Sequence, residues 1–417
     1  MRKNWIWFAL GLILLCIGCM PTLLSVQPFK QIVVRKFERR LGKTVKIDHV
    51  YFSWFGPQKV EGIHFTNSQI DGIIEKISSK IPFWSLITRG SFEANIEEIS
   101  GSGTTHLSGQ NGRFTAEAHR LLAKEIAFQF SAEGVPTATV FQLLKTDSPI
   151  GLLIGPSFNA KGTGSLQETT GKLDIDLTSA KLQTQIHAFF TPDAIGLRDP
   201  VTIVCYLTPE FTRAITEGAL SIQSKTPARL QIEPECCVIP RPFSLAKLRI
   251  KRATLDLGQI ILQHAHLVPL ASLLKADSLT ASQIELWLTS VDWSLQEEIF
   301  TMGRIDALLA DSIHLCAWGK ANLQRQTLDM IFGIPADTLG KTIRMKNLPS
   351  NFVLQIPVTG PMRQPNIDTA SAGAKMAVLI AGNRAQSQGG ILGGVAGIIS
   401  KMSQEKSPPP KRPFPWE

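Results

Sequence analysis

The chain begins with an uninterrupted apolar run, and most of the rest alternates between apolar and polar positions. No charged residue lies between Trp5 and Val26. A run of about 20 apolar residues can cross the hydrocarbon layer of a bilayer as a helix. We therefore expect a transmembrane anchor over residues 1–26. The alternatives are a cleaved secretory signal and lipid modification at Cys19.

A basic amphipathic helix is predicted directly after the anchor, over residues 27–42. Its apolar positions recur every four residues from Phe29 to Leu41, and Gly42 ends it. The basic side chains between them are candidates for contact with phospholipid headgroups. They are Lys30, Arg35, Lys36, Arg39 and Arg40. Basic residues after an anchor normally stay cytoplasmic, which conflicts with export, although this rule weakens when a long folded domain follows.

Residues 43–368 are predicted to form a β-rich body. The strand that begins at Lys43 can pair with Lys59–Phe65 as a hairpin. Short helices are expected at Val135–Leu144 and Pro209–Gly218. Period-two alternation, which is typical of half-buried strands, is clearest from Gly162 onward. It returns at Leu255–Leu262, Ile284–Leu288, Leu328–Phe332 and Phe352–Val358.

The apolar strand faces have two interpretations. Taken strand by strand, a closed sandwich core is the more common structure. An extended, curled sheet with an open groove would instead shield acyl chains from water, at about 0.8 kcal/mol for each buried methylene. The candidate groove-lining residues are Leu173, Ile175, Leu177, Ile186, Leu286, Leu288, Leu354 and Ile356.

The C-terminal part differs in composition from the body. Residues 369–402 are rich in Ala and Gly and are predicted to be a helical segment, with the clearest helix at Ala370–Ala381. The second half of this segment is too short to span a bilayer. Residues 403–417 are rich in proline, and we expect a disordered tail that serves as a linker or a peptide ligand.

Motifs for catalysis and cofactor binding were not found in the sequence. Gly42–Lys43–Thr44 lacks the preceding glycine of a phosphate loop, and His264 and His266 lack further ligands to complete a metal site. The net charge of +9 is concentrated near the anchor, which favours a membrane surface over nucleic acid. We therefore expect no catalytic residue, no metal and no cofactor.

The six cysteines leave two possibilities for the body. Cys205, Cys236, Cys237 and Cys316 could form two long-range disulfides if the body is exported. Buried free thiols are the equally weighted alternative.

Both ends of the body resemble AsmA-like proteins, the superfamily that includes the TamB-type proteins of Gram-negative envelopes. The resemblance is carried by LGKTVKIDHVYFSWFGPQKVEGIHFTN, by IIEKISSKIPFWSLITRGSFEANIEEISGSG and by FVLQIPVTGPMRQPNID. It implies a single-pass inner-membrane anchor and a periplasmic β-groove. It also implies that the protein holds or conducts phospholipid and contributes to outer-membrane assembly or lipid homeostasis.

A second function remains open beside lipid transport. The body could be an envelope scaffold that carries no lipid and binds partner proteins by strand addition to its sheet edges. Membrane phospholipids are the expected partners under the first hypothesis, and other envelope proteins under the second. The sequence does not fix the oligomeric state.

Overall fold

The computed structural model describes residues 31, 34, 35, 38 and 45–417, apart from 54–55, 67–69, 81–96, 108–109, 123–124, 145–147, 217, 219–220, 264–280, 310–311, 344–347, 363 and 388–406. The protein is mainly β with few helices, which confirms the expected class. The chain divides into two compact units, Met1–Ala180 and Lys181–Glu417.

The first unit contains an antiparallel meander in which each strand pairs with the next. The predicted first hairpin is confirmed, since Val45 lies opposite Phe65. The strands are β1 (Val45–Tyr51), β2 (Gln58–Thr66), β3 (Ile70–Ser79), β4 (Glu98–Leu107), β5 (Gln110–Leu122), β6 (Glu125–Pro136), β7 (Ser157–Gln167) and β8 (Thr170–Ser179).

Two short helices connect β6 to β7 in the first unit. They are α1 (Thr137–Leu144) and α2 (Ile150–Ile154). The predicted helix at Val135–Leu144 therefore begins two residues late. The reason is that Val135 and Pro136 still belong to β6, where they pair with Phe158 and Ser157 of β7.

The core of the first unit lies at its β1–β3 end. The buried residues are apolar, but the alternation of buried and exposed positions changes phase within β1, where Asp48 and His49 are both exposed, and within β2, where Gly62 has a positive φ of 66°. Val34, in the helical stretch before β1, packs against the buried residues. The core residues are Val45, Ile47, Val50, Val60, Ile63 and Ile77.

The second unit has a branched antiparallel arrangement. Its strands are β9 (Leu182–Phe190), β10 (Ala194–Leu197), β11 (Val201–Cys205), β12 (Ser221–Ser224), β13 (Ala228–Ile232), β14 (Cys237–Pro240), β15 (Arg249–Asp256), β16 (Gln259–Gln263), β17 (Gln283–Leu288), β18 (Val291–Gln296), β19 (Ile299–Leu309), β20 (Ile313–Asn322), β21 (Thr327–Pro335), β22 (Val353–Pro361) and β23 (Asn366–Ile367).

Its helices are α3 (Pro209–Ile215), α4 (Ala336–Thr342) and α5 (Thr369–Ser387), with 3₁₀ turns at Pro234–Cys236 and Leu245–Lys247. The predicted helices at Pro209–Gly218 and Ala370–Ala381 are confirmed. The alternation predicted over Leu255–Leu262 is divided between two strands. Gly258 adopts a positive φ of 58° there, and the chain turns from β15 into β16.

Helix α5 closes the main core of the second unit. Asp368 caps its first turn, because Oδ1 accepts a hydrogen bond of 2.9 Å from the backbone N–H of Ser371. Ala372, Met376 and Leu379 on one side of the helix then pack onto buried strand residues. Those strand residues include Leu286, Leu288, Leu309, Leu315, Ile334, Leu354 and Ile356.

No helix in the described ranges is long and apolar enough to span a bilayer. The predicted anchor, residues 1–26, lies outside these ranges, as do Lys30, Lys36, Arg39 and Arg40. Residues 31, 34, 35 and 38 are helical, in agreement with the predicted basic helix, and Arg35 is exposed on it. Residues 388–406 also lie outside the described ranges, so the predicted segment 369–402 is represented only by α5.

Candidate functional site

The first unit carries an apolar face across β5–β8, formed by one side of four neighbouring strands. The register aligns its side chains in rows: Phe130 lies opposite Gly162, which lies opposite Ile175 on β8. The face consists of Phe114, Ala118, Ile126, Phe128, Phe130, Ala132, Leu166, Leu173, Ile175 and Leu177, and all of them are partly exposed.

Phenylalanine rings cover glycines on this face. A Cβ atom at Gly162 would overlap the ring of Phe130, and one at Gly164 would overlap the ring of Phe128. The glycines therefore let each ring lie against the backbone of the neighbouring strand. Such packing provides a broad apolar surface without requiring a second layer of side chains on top.

The opposite side of the same strands is polar. Its side chains include Glu117 and Gln129, whose Nε2 donates a 2.7 Å hydrogen bond to Glu117 Oε2. On β8, Lys172 and Asp176 are exposed between the apolar positions. The sheet is thus amphipathic, and Asp176 lies on its solvated side, as the alternation predicts.

The structure separates the candidate groove residues into three groups. Leu173, Ile175 and Leu177 lie together on the apolar face. Ile186 is partly buried on β9 of the second unit.

The other four candidates belong to a closed core, which corrects the prediction that they line a groove. Leu354 and Ile356 are both 0 % exposed, and Leu286 and Leu288 are also buried. They form one cluster of buried apolar residues with Ala372, Met376 and Leu379 of α5, which packs on β22. Strand alternation shows which side chains share a face but not which element covers that face.

A buried polar cluster lies on β19 and β20 of the second unit. Asp306 is 0 % exposed. Its carboxylate accepts hydrogen bonds from Arg304 Nε at 2.9 Å and from Arg304 Nη2 at 2.7 Å. His314 Nε2 lies 2.8 Å from Asp306 Oδ1, and His314 Nδ1 lies 3.1 Å from Asp337 Oδ2 at the start of α4.

The electrostatics of this cluster favour a protonated histidine. Burial alone would lower the pKa of His314, but its hydrogen bonds to Asp306 and Asp337 raise that pKa above the usual value. Burial would raise the pKa of Asp337, but the hydrogen bond and charge of His314 lower it. The cluster therefore holds two cations and two carboxylates in one network.

The C-terminal residues 407–417 pack beside this cluster, in contrast to the expected disorder. Phe414 is buried, with its ring centroid 5.7 Å from that of His314. Together with Arg304, His314, Asp337 and Asn351, residues 407–411 line a cavity of about 680 Å³. The sequence pattern missed the cluster because His314 and Asp337 lie on other elements than Arg304 and Asp306.

The cysteines of the body are free thiols in the structure. Cys205, Cys237 and Cys316 are buried, and burial raises the pKa of Cys316 to about 12. Among the described residues, no group of His, Cys, Asp or Glu is arranged to hold a metal ion. His264 and His266 lie outside the described ranges.

Comparisons with known proteins gave no match. No family model, no curated protein sequence and no solved structure is significantly similar to the chain.

Proposed function

We propose that the protein holds or conducts phospholipid on the apolar face of the first unit. In this proposal it is an AsmA-like protein, anchored in the bacterial inner membrane with its body in the periplasm, where it contributes to outer-membrane assembly or lipid homeostasis. The observation that carries the proposal is the partly exposed, continuous apolar face across β5–β8.

The dimensions and chemistry of this face suit acyl chains. Strand β8 has 10 residues, which corresponds to about 33 Å at about 3.3 Å per residue. Ten methylenes removed from water would contribute about 8 kcal/mol at about 0.8 kcal/mol each. The face needs no charged side chain for this purpose, because the polar headgroup can remain in water at its rim.

The order of the N-terminal segments supports the membrane location. An apolar run precedes a basic amphipathic stretch, and the body follows. Such a basic stretch would lie at the headgroups and hold the first unit close to the bilayer. Acyl chains would then have a short path from the membrane to the apolar face.

Site-specific photocrosslinking tests the proposal in the full-length protein. Benzoylphenylalanine would replace Ile175 on the apolar face, and matched control proteins would carry it at Thr178, on the opposite face of β8, or at Leu354, in the closed core. After irradiation in bacterial membranes, we expect phospholipid adducts by intact mass at Ile175 alone. Equal adducts at Ile175 and Thr178, or none at Ile175, would contradict the proposal, and a protein adduct at Ile175 would favour the scaffold.

A further inference from the structure

The C-terminal segment 407–417 makes side-chain contacts with a surface on the second unit. Arg412 Nη2 lies 2.5 Å from Asp292 Oδ2, and Arg412 Nη1 donates a 3.1 Å hydrogen bond to Ser290 Oγ. Arg304 Nη1 donates a 3.3 Å hydrogen bond to the backbone oxygen of Pro409. The segment is thus bound by one ion pair to Asp292 of β18 and by two hydrogen bonds, one to Ser290 just before β18 and one from Arg304 of β19.

Aromatic rings provide the apolar part of this contact. Trp416 packs edge-on against Trp287 of β17, with centroids 5.2 Å apart. The rings of Phe414 and Trp416 stack at 5.1 Å with an interplanar angle of 4°. Phe414 is 5 % exposed and lies against His314. Trp416 is 54 % exposed, so Phe414 is the buried aromatic anchor of this contact, and such anchors dominate the binding energy of most interfaces.

Contacts within segment 407–417 also restrict its conformation. Lys411 Nζ lies 2.7 Å from Glu417 Oε1 and 5.1 Å from the ring centroid of Phe414. The backbone N–H of Phe414 donates a 3.1 Å hydrogen bond to Glu417 Oε2. Five prolines between residues 408 and 415 restrict the backbone further. A preorganised peptide loses little conformational entropy on binding, as in the recognition of proline-rich ligands.

The side chains that contact segment 407–417 are held in place by other residues of the second unit. Asp306 holds Arg304 in place, and Asp306 together with Asp337 holds His314. Asp292 accepts a 2.7 Å hydrogen bond from Thr254 Oγ1 and a 3.0 Å hydrogen bond from Arg252 Nη2. Asp292, Arg304 and His314 thus have hydrogen-bond partners outside the segment and keep them when the segment leaves. This is typical of a binding site, whereas a segment required for folding would leave such groups unpaired.

We propose that Trp287, Asp292, Arg304 and His314 form a peptide-binding site, and that segment 407–417 is its ligand. The segment occupies the site in cis and is exchangeable for the same segment supplied in trans by a second copy of the chain. The ligand class is a proline-interrupted peptide that carries an arginine followed by two aromatic residues. The site is independent of the apolar face of the first unit.

Binding of a labelled synthetic peptide of residues 407–417 to the full-length protein tests the proposal. The wild-type site is filled by its own segment at an effective concentration that reaches about millimolar for a tethered ligand, so little peptide should bind. The variant F414A/W416A loses the buried Phe414 and the Trp416 ring that packs on Trp287, so its own segment should leave the site and the peptide should bind saturably. Adding Asp292→Asn to that variant should weaken binding by about tenfold, because the ion pair to Arg412 is lost.

Two results would overturn the proposal. One is a folded F414A/W416A protein that does not bind the peptide, and the other is binding that Asp292→Asn leaves unchanged. If F414A/W416A does not fold, a protease site placed within residues 388–406 of the wild-type chain gives a second measurement. After cleavage, excess peptide should displace the C-terminal fragment from a folded body. A fragment that cannot be displaced, or whose loss unfolds the body, would show that the segment is part of the fold.

Discussion

Asp306 is expected to hold the polar cluster of the second unit together, and Asp306→Ala tests this directly. The side chain of Arg304 is only 8 % exposed, and that of Asp306 is 0 % exposed. Removal of the carboxylate leaves a buried guanidinium without its anionic partner. Breaking a buried ion pair by removing one partner typically costs about 3–5 kcal/mol. For a unit of this size, such a loss corresponds to a fall in melting temperature of about 10 °C.

The assay is urea unfolding of the full-length protein in mild detergent, followed by tryptophan fluorescence. Trp287, Trp293 and Trp318 report on the second unit because all three lie in its strands. Arg252→Ala is the matched control: it also breaks an ion pair with an aspartate, but Arg252 is 66 % exposed. Exposed pairs contribute about 0–1 kcal/mol. An Asp306→Ala effect no larger than that of the control would refute the reasoning.

Three further predictions concern the core, the histidine and the thiols. Leu286→Glu should unfold the second unit, since it buries a carboxylate among apolar residues; a cooperative urea transition at the wild-type midpoint would contradict this. The pKa of His314 is raised, so its contribution to stability is present in full below about pH 6.5 and is lost as the pH rises through the folded-state value. The stability difference between wild type and His314→Gln should therefore shrink from pH 6 to pH 9, and a constant difference would exclude the mechanism. Native alkylation at pH 8 should modify partly exposed Cys236 before Cys316, whose pKa is raised to about 12, and peptide mass spectrometry showing the reverse order would contradict the burial.

The sequence pattern predicted the strands of this protein more reliably than the elements that pack on those strands. Period-two alternation correctly placed Leu173, Ile175 and Leu177 on one face of β8, because successive side chains of a strand alternate between its two faces. The same alternation placed Leu354 on an apolar face, but it could not show that α5 covers that face. Covering elements are tertiary neighbours, and alternation within a strand carries no information about them.

The polar cluster and the C-terminal segment illustrate a second limit. Arg304 and Asp306 are two residues apart on β19, but His314 reaches them only through the pairing of β19 with β20, and Asp337 joins from α4. The composition of residues 403–417 favours disorder, because prolines cannot complete a helix or a strand ladder. Residues 407–417 are placed instead by Arg412 and by their aromatic side chains. Such contacts depend on a surface that exists only in the folded unit.

We propose above that the apolar face of the first unit binds phospholipid. Its most direct test is mass spectrometry of the lipids that co-purify with the full-length protein, compared among wild type, Ile175→Glu and Thr178→Glu. Both substitutions add a carboxylate to β8, but only the first adds it to the apolar face. We expect phospholipid to be bound to wild type and Thr178→Glu and to be lost from a folded Ile175→Glu. Equal lipid in all three proteins, or a wild-type protein free of lipid, would contradict it.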